Sequence, residues 1–379
     1  MIAYRVNQDS AGFVGPLVGA LVAGLVGALV VGSVVAAESE HAGMDHSGHD
    51  MAGHSTERDE LGRRLFGMKH QMSPEILTEL RANVRGWDQL SDEEIALSMT
   101  MMGSNYEWYI SADDVEAGNG VLILYHGFRE RGDMMFKQQM ESYSDVFPMA
   151  LAPGMSMMMS QHIQLGLDDL VAAGAERIVV VPIVSTQYNT MIRQWWYIFG
   201  LEEDPAYATV PRIETTADVL FASPPNDDPL VAEILLDFAE EISEDPENEV
   251  VIIAAHGPSE EADNARQLEL MGNLARIVQE DGGFSAVAAA TLQDDAPPEV
   301  RDANVVRLRC MIEQAQADDK KVIIVTSLIG ARTIQKKLRK DLQGLDYRFN
   351  AKGLIQHDLF LDWIGETVRD ELLRADTGT

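Results

Sequence analysis

An apolar strand that stops on His-Gly occurs twice in this chain, as Val121-Leu-Ile-Leu-Tyr-His126-Gly127 and Val250-Val-Ile-Ile-Ala-Ala-His256-Gly257. Each run has the length and β-branched content of a buried strand, and each is halted at once by a histidine and a glycine. Strands that are apolar on both faces need helices on both faces, which is the situation of a parallel sheet. In such sheets ligands meet the protein beyond the carboxyl ends of the strands. The pair therefore points to a repeated α/β plan with two equivalent histidines at ligand-facing edges.

The segments around each copy keep one order. After His126 the patterning predicts a helix over 133–142, a strand over 146–151, Pro153-Gly154, a helix over 157–173 stopped by Gly174, and a strand from Arg177 to Pro182. After His256 it predicts a helix over 262–280, a strand over 284–290, Pro297-Pro298, a helix over 299–317 and a strand over 321–326. The expected fold is α/β, with two similar three-layer α/β/α domains on parallel sheets, at 119–225 and 226–379. A helical lead-in at 57–118 precedes them. There Ser73-Pro74 marks a helix start, and Ser91-Asp-Glu-Glu94 forms a capping box. Tyr106-Glu-Trp-Tyr109 either belongs to this packing or folds over a ligand. The lone Cys310 excludes an internal disulfide, and its apolar helical surroundings place it in a core.

Residues 11–37 are uncharged, long enough to span a bilayer, and carry small residues at four-residue spacing. Val35-Ala-Ala37 also suits signal cleavage. Residues 1–37 are thus a membrane anchor or an export signal, and either places the body outside the cytoplasm. Residues 38–56 form a flexible tail in which His41, His46, His49 and His54 mix with Met44 and Met51. Imidazole with thioether suits copper, and the alternative is a hydrophilic linker. The net charge of −32 argues against a nucleic-acid partner, since phosphate binding needs a basic surface.

The His126-Gly-Phe-Arg129 opening and the Gly166-to-Pro182 helix-and-strand segment resemble the CbiX/SirB-type sirohydrochlorin chelatases of the class II chelatase superfamily, over about residues 118 to 375. The resemblance implies a tetrapyrrole or haem-like ligand in a cleft between two α/β domains, and insertion of Co2+, Ni2+ or Fe2+ into it. Two departures stand out. The second family histidine is missing from Val184-Ser-Thr-Gln187 and from Ser327-Leu-Ile-Gly330-Ala-Arg332. The acidic residue after the second strand is absent from the first copy, while the second has Gln293-Asp294-Asp295. A complete site must then join His126 and His256 across the two domains.

On that reading His126 and His256 serve as base and transient metal ligand, with Asp294 or Asp295 as a further base or ligand. Arg129, Arg193 and Arg332 pair with the carboxylates of the ring. Trp195 and Trp196 either stack on the ring or pack between domains. Met155, Met157 to Met159 and His162 form a soft site or fill core space. His357 lies in the cleft or in a helix-start turn capped by Asp358. Phosphate-loop, nucleophile-elbow and Cys-x-x-Cys patterns are absent from the sequence. Two functions stay open: a chelatase, or a non-catalytic extracytoplasmic protein that binds metal, haem or another tetrapyrrole.

Overall fold

The computed structural model describes residues 57–65, 73–101, 106–110, 118–154, 160–331 and 333–377. The described residues belong to one compact unit, His49–Thr379. The 1–37 segment, the 38–56 tail with His41, Met44, His46, His49, Met51 and His54, residues Met155 to Met159 and Arg332 lie outside them, as does the side chain of His162. Among the described residues no helix is long and apolar enough to cross a membrane.

The fold is mixed α/β with two sheets. The first contains β1 (Arg63–Leu65), β2 (Tyr106–Ile110), β3 (Asn119–Tyr125), β4 (Met149–Ala152), β5 (Arg177–Ile183) and β6 (Asp218–Phe221), in the spatial order β1-β2-β4-β3-β5-β6. The second contains β7 (Glu249–Ala255), β8 (Ala286–Thr291), β9 (Lys321–Thr326) and β10 (Arg348–Phe349), in the order β10-β9-β7-β8. The second sheet is wholly parallel. In the first, β3 to β6 are parallel while β1 and β2 add antiparallel at the edge.

Within the parallel strands the two sheets share one topology, second-first-third-fourth. β3 and β7 hold the same place, beside the point where the strand order reverses. Ligand crevices open at such points in doubly wound sheets, beyond the carboxyl ends. His126 and His256 follow these two strands directly.

Helices α1 (Pro74–Asn83) and α2 (Asp92–Met101) form the lead-in, and α3 (Arg129–Met140), α4 (Gln161–Ala172) and α5 (Thr190–Ile198) serve the first sheet. Helices α6 (Pro229–Glu240), α7 (Glu261–Gly282), α8 (Pro298–Ala317), α9 (Thr333–Asp341) and α10 (Asp358–Thr377) follow. The expected starts of the lead-in helices are present: Ser73 Oγ accepts from Ile76 N, and Ser91 and Glu94 exchange capping-box bonds. Gly174 ends α4 with φ +98°.

Alternate side chains of β3 feed different cores, which is why its sequence is apolar throughout. Val121, Ile123 and Tyr125 enter a central core together with Val251 and Ile253 of β7, Val325 of β9 and Trp363 of α10. Leu122 and Leu124 face an outer core with Leu167 and Trp195. Ile252 and Ala254 face a third core, with Leu308 and Ile312 of α8. The central core joins both sheets, and the last helix, α10, packs on β5 of the first sheet.

Two expectations are corrected here. The lead-in is not purely helical, because Tyr106-Glu-Trp-Tyr109 forms the edge strand β2. Its Tyr106, Trp108 and Ile110 face the central core, and Glu107, fully buried on the other face, lies between Arg58 and Arg64 at 3.2 and 3.1 Å. Cys310 is exposed. α8 buries Asn304, Leu308, Ile312 and Ala315, a stripe that leaves Cys310 on the solvent side.

Candidate functional site

Both histidines sit in the same local frame. As β3 and β7 end, Gly127 and Gly257 take left-handed conformations, with φ +92° and +78°, and turn the chain off the sheet. A Cβ on Gly257 would stand 2.7 Å from Thr291 Cβ, so close approach as well as conformation demands glycine there. His126 Nδ1 lies 3.2 Å from the Gly127 carbonyl, and His256 Nδ1 lies 3.0 Å from that of Gly257. A carbonyl only accepts, so each ring donates through Nδ1, and in the neutral His126 ring the Nε2 lone pair is left for a metal or a proton.

The loop after β8 locks onto the loop after β7. Leu292 N donates to Ala255 O at 3.0 Å, and Asp294 N to His256 O at 3.3 Å. Gln293, buried, donates through Nε2 to Pro258 O at 3.1 Å and Ser259 O at 3.3 Å, and accepts from Asn304 Nδ2 at 2.9 Å. This register brings Asp295 Oδ2 to 3.4 Å from His256 Nε2.

The two consecutive acids have separate environments. Asp294 is buried, with Oδ1 2.6 Å from Arg301 Nε and Oδ2 3.3 Å from Lys337 Nζ. Its carboxylate is engaged on both oxygens. Asp295 is exposed beside His256.

His126 is exposed at the end of β3, and its pKa is lowered from the ordinary imidazole value. Desolvation is the largest cause; the Gly127 carbonyl and Asp295 oppose it, and His256 adds to it. His126, His256 and Asp295 are therefore electrostatic neighbours. Among the described residues no three His, Cys, Asp or Glu side chains form a group that could hold a metal ion.

On the first sheet the histidine loop is braced from behind. Asp133, fully buried on α3, accepts from Phe128 N and from Tyr106 Oη, both at 2.6 Å. Burial pushes its carboxyl up to about 6, against those two hydrogen bonds. The Phe128 ring stacks on Tyr125 at 5.3 Å and rests on Gly330, where a Cβ would lie 3.2 Å from it. The loop carrying His126 thus leans on the loop after β9.

The remaining candidates divide. Arg129 is exposed at the start of α3, with a left-handed φ of +65°, uncommon for a side-chain-bearing residue. Arg193 pairs with Asp263 of α7 at 2.7 Å and so ties the two halves together. Trp195 is fully buried in the outer core, and Trp196 packs half-buried against it. Trp195 has no face to offer a ring, because the 190–198 helix turns it onto the sheet. His357 accepts from Leu359 N at 3.3 Å through Nδ1, and its Nε2 lies 3.0 Å from Asp237. It caps α10 itself, the role expected of Asp358. Two residues went unread in the sequence. The Tyr207 phenol is pushed up by burial and then by the charge of Asp295. Arg85 donates to the Asp294 and Ala296 carbonyls. Both are single residues in irregular segments, with no periodic or motif signal.

No family model and no curated protein matches the chain. Among solved structures, SirB from Bacillus subtilis with Fe3+ is similar, with a TM-score of 0.51 and 17% identity; the match covers 68% of this chain and 97% of that one. DR2241 from Deinococcus radiodurans, a multi-domain protein with structural similarity to chelatases, follows with a TM-score of 0.43, 14% identity, and 66% and 54% of the two chains. At such identities the likeness is one of fold: the chain has an α/β architecture distantly related to that of the CbiX/SirB-type chelatases.

Proposed function

We propose that the protein handles a divalent transition metal, Co2+, Ni2+ or Fe2+, at the strand ends shared by its two sheets, and presents it to a tetrapyrrole as a chelatase does. The observation that carries this reading is the matched histidine pair, each ring tied through Nδ1 to the carbonyl of the following glycine, with the Asp295 carboxylate 3.4 Å from His256 Nε2. The metal-bearing SirB structure, on a related fold, points the same way.

Metal insertion requires that two ring N–H protons be removed and that the metal be held by exchangeable donors. His126 is biased toward its neutral form and touches solvent, which suits a proton acceptor. His256 and Asp295 supply one nitrogen and one oxygen donor to the metal as substrate. Arg129, exposed beside the His126 turn, pairs with a carboxylate of the ring. Export through residues 1–37, and metal supply by the His/Met tail with copper among its candidates, belong to the same proposal.

A second reading, a carrier that binds metal or tetrapyrrole without inserting one into the other, draws on the absence of a three-residue metal group among the described residues. Anaerobic mixing of the full chain with sirohydrochlorin and each metal, followed by optical spectrum, separates the two. Metallation faster than the protein-free rate, and lost in His126→Ala/His256→Ala, supports the chelatase. A bound-ring spectrum without acceleration supports the carrier, and no interaction with ring or metal overturns both.

A further inference from the structure

The lead-in has no counterpart in the repeated α/β plan, yet its end touches the site from both sides. On one side Glu79 of α1 accepts from Thr209 N and, at 3.0 Å, from Thr209 Oγ1, and Asn83 Nδ2 donates to Tyr207 O at 2.9 Å. These contacts grip the loop between α5 and β6, which belongs to the first sheet. On the other side Arg85 Nη1 donates to Asp294 O at 3.1 Å and also to Ala296 O. That loop belongs to the second sheet. Only Val84 separates Asn83 from Arg85, so a single turn of chain bridges the two halves.

The residue between the two carbonyls held by Arg85 is Asp295. Residues Gln293 to Ala296 form a β-turn, with Ala296 N donating to Gln293 O at 2.9 Å. Asp295 is its third residue and presents its carboxylate to His256. The two members before it are already held: Gln293 by the 258–259 carbonyls and Asn304, Asp294 by Arg301 and Lys337. Asp295 itself is exposed and owes its orientation to the backbone on either side of it. A guanidinium spanning both flanking carbonyls fixes that backbone from the solvent side. The charge of Asp295 also reaches the Tyr207 phenol, which agrees with both ends of the bridge lying at one site.

We propose that Arg85 is a positioning residue for the His256–Asp295 pair. By clamping the Asp294 and Ala296 carbonyls it holds the Asp295 carboxylate in the geometry that binds the divalent metal. The lead-in thereby makes the metal affinity of the second sheet depend on a segment anchored to the first. This inference rests on the reading that His256 and Asp295 hold the metal. Outer partners of metal ligands commonly govern affinity by about ten- to a hundredfold, which sets the size of the effect to look for.

The test is an anaerobic Co2+ titration of the full chain, read by visible absorption, for wild type, His256→Ala, Asp295→Asn, Arg85→Ala, Arg85→Gln and Arg85→Ala/Asp295→Asn. The tail can also take up Co2+, so the signal of the site is the absorption lost in His256→Ala. Arg85→Ala is expected to weaken that component about tenfold. The double variant is expected to be no weaker than Asp295→Asn alone, because both substitutions disable one device. Arg85→Gln, with one short donor group, is expected to fall between wild type and Arg85→Ala. Thermal unfolding of the metal-free proteins checks that each variant folds; should Arg85→Ala fail to fold, Arg85→Gln carries the comparison with Asp295→Asn. If His256→Ala and Asp295→Asn lose the component while the Arg85 variants keep wild-type affinity, or if the losses simply add, the inference is overturned and the site reading stands. If His256→Ala and Asp295→Asn bind like wild type, the site reading falls and takes the inference with it.

Discussion

His256 Nε2 and Asp295 Oδ2 lie 3.4 Å apart, whereas the carboxylate one residue earlier, on Asp294, is turned into the protein toward Arg301 and Lys337. Adjacent residues of one type thus divide two tasks. Asp294 ties α8 and α9 to the loop, and Asp295 is left to face the histidine.

The division predicts opposite phenotypes. Asp294→Asn removes a buried charge from two cations and should cost on the order of 3 kcal/mol in urea unfolding. Asp295→Asn loses only a solvent-exposed pair and should leave the unfolding midpoint within experimental scatter, while weakening Co2+ binding. Equal stability losses in the two variants would show that the acids are not divided in this way.

The electrostatics at His126 can be checked by sign. Its pKa is lowered chiefly by desolvation, with His256 contributing in the same direction and Asp295 in the other. NMR titration of the His126 ring should therefore give a value below that of an ordinary imidazole. His256→Ala should raise it, and Asp295→Asn should lower it further. Since the folded pKa is depressed, the associated stability is present above the ordinary imidazole pKa and is lost as pH falls through that range. A value indifferent to both substitutions would separate His126 from the other two groups.

What could be read from the chain and what could not have physical reasons. The strand-helix order was legible because parallel strands are apolar on both faces and helices carry start and stop residues: the helix expected at 299–317 lies at Pro298–Ala317, and the strand expected at 321–326 at Lys321–Thr326. The two histidines were legible because His-Gly interrupts an apolar run. Edge strand β2 was hidden by Glu107, whose buried charge is matched by Arg58 and Arg64, residues more than forty positions away in sequence. Asp294 and Asp295 cannot be told apart by composition, because what separates them is the reach of Arg301 and Lys337. Trp195 and Trp196 read alike for a related reason: only the rotation of α5 on its sheet decides which of them is buried.

Asp133 makes the His126 loop responsive to pH. Its carboxyl is pushed up by burial to about 6, above its ordinary value near 3.8, so the folded state favours the protonated form. The stabilisation is complete below the lower value and is lost as pH rises through the upper one, roughly 3 kcal/mol over the interval for a shift of about two units. Asp133→Asn keeps an acceptor for Phe128 N–H but cannot ionise. In urea unfolding between pH 4 and 7, wild-type stability should fall relative to the variant by up to about that amount. Glu107, raised to about 7 mainly by burial and against the pull of Arg58, contributes in the same direction to both proteins. It therefore cancels in the comparison. Parallel pH curves for the two proteins would remove Asp133 as the titrating group.

The last helix decides whether the halves can live apart. Phe360, Trp363, Ile364 and Val368 of α10 are at most 3% exposed and belong to the central core with Val179 and Val181 of β5. α10 follows the last strand of the second sheet in sequence, yet it packs against the first sheet, so a cut between 225 and 226 would strip β5 of its cover. Each of these side chains contributes about 1.5–3 kcal/mol by burial, and together they rival the whole stability of an ordinary domain. A protein ending at Gln356 should lose cooperative unfolding and bind a hydrophobic dye. Trp363→Ala alone should cost about 3–5 kcal/mol. Co2+ binding at His256 should weaken in the same variants, because the core that α10 completes also carries β7, from which His256 projects. If instead the protein ending at Gln356 unfolded cooperatively with an unchanged midpoint, the central core would not be the shared one, and the two sheets would be independent in stability as well as in topology.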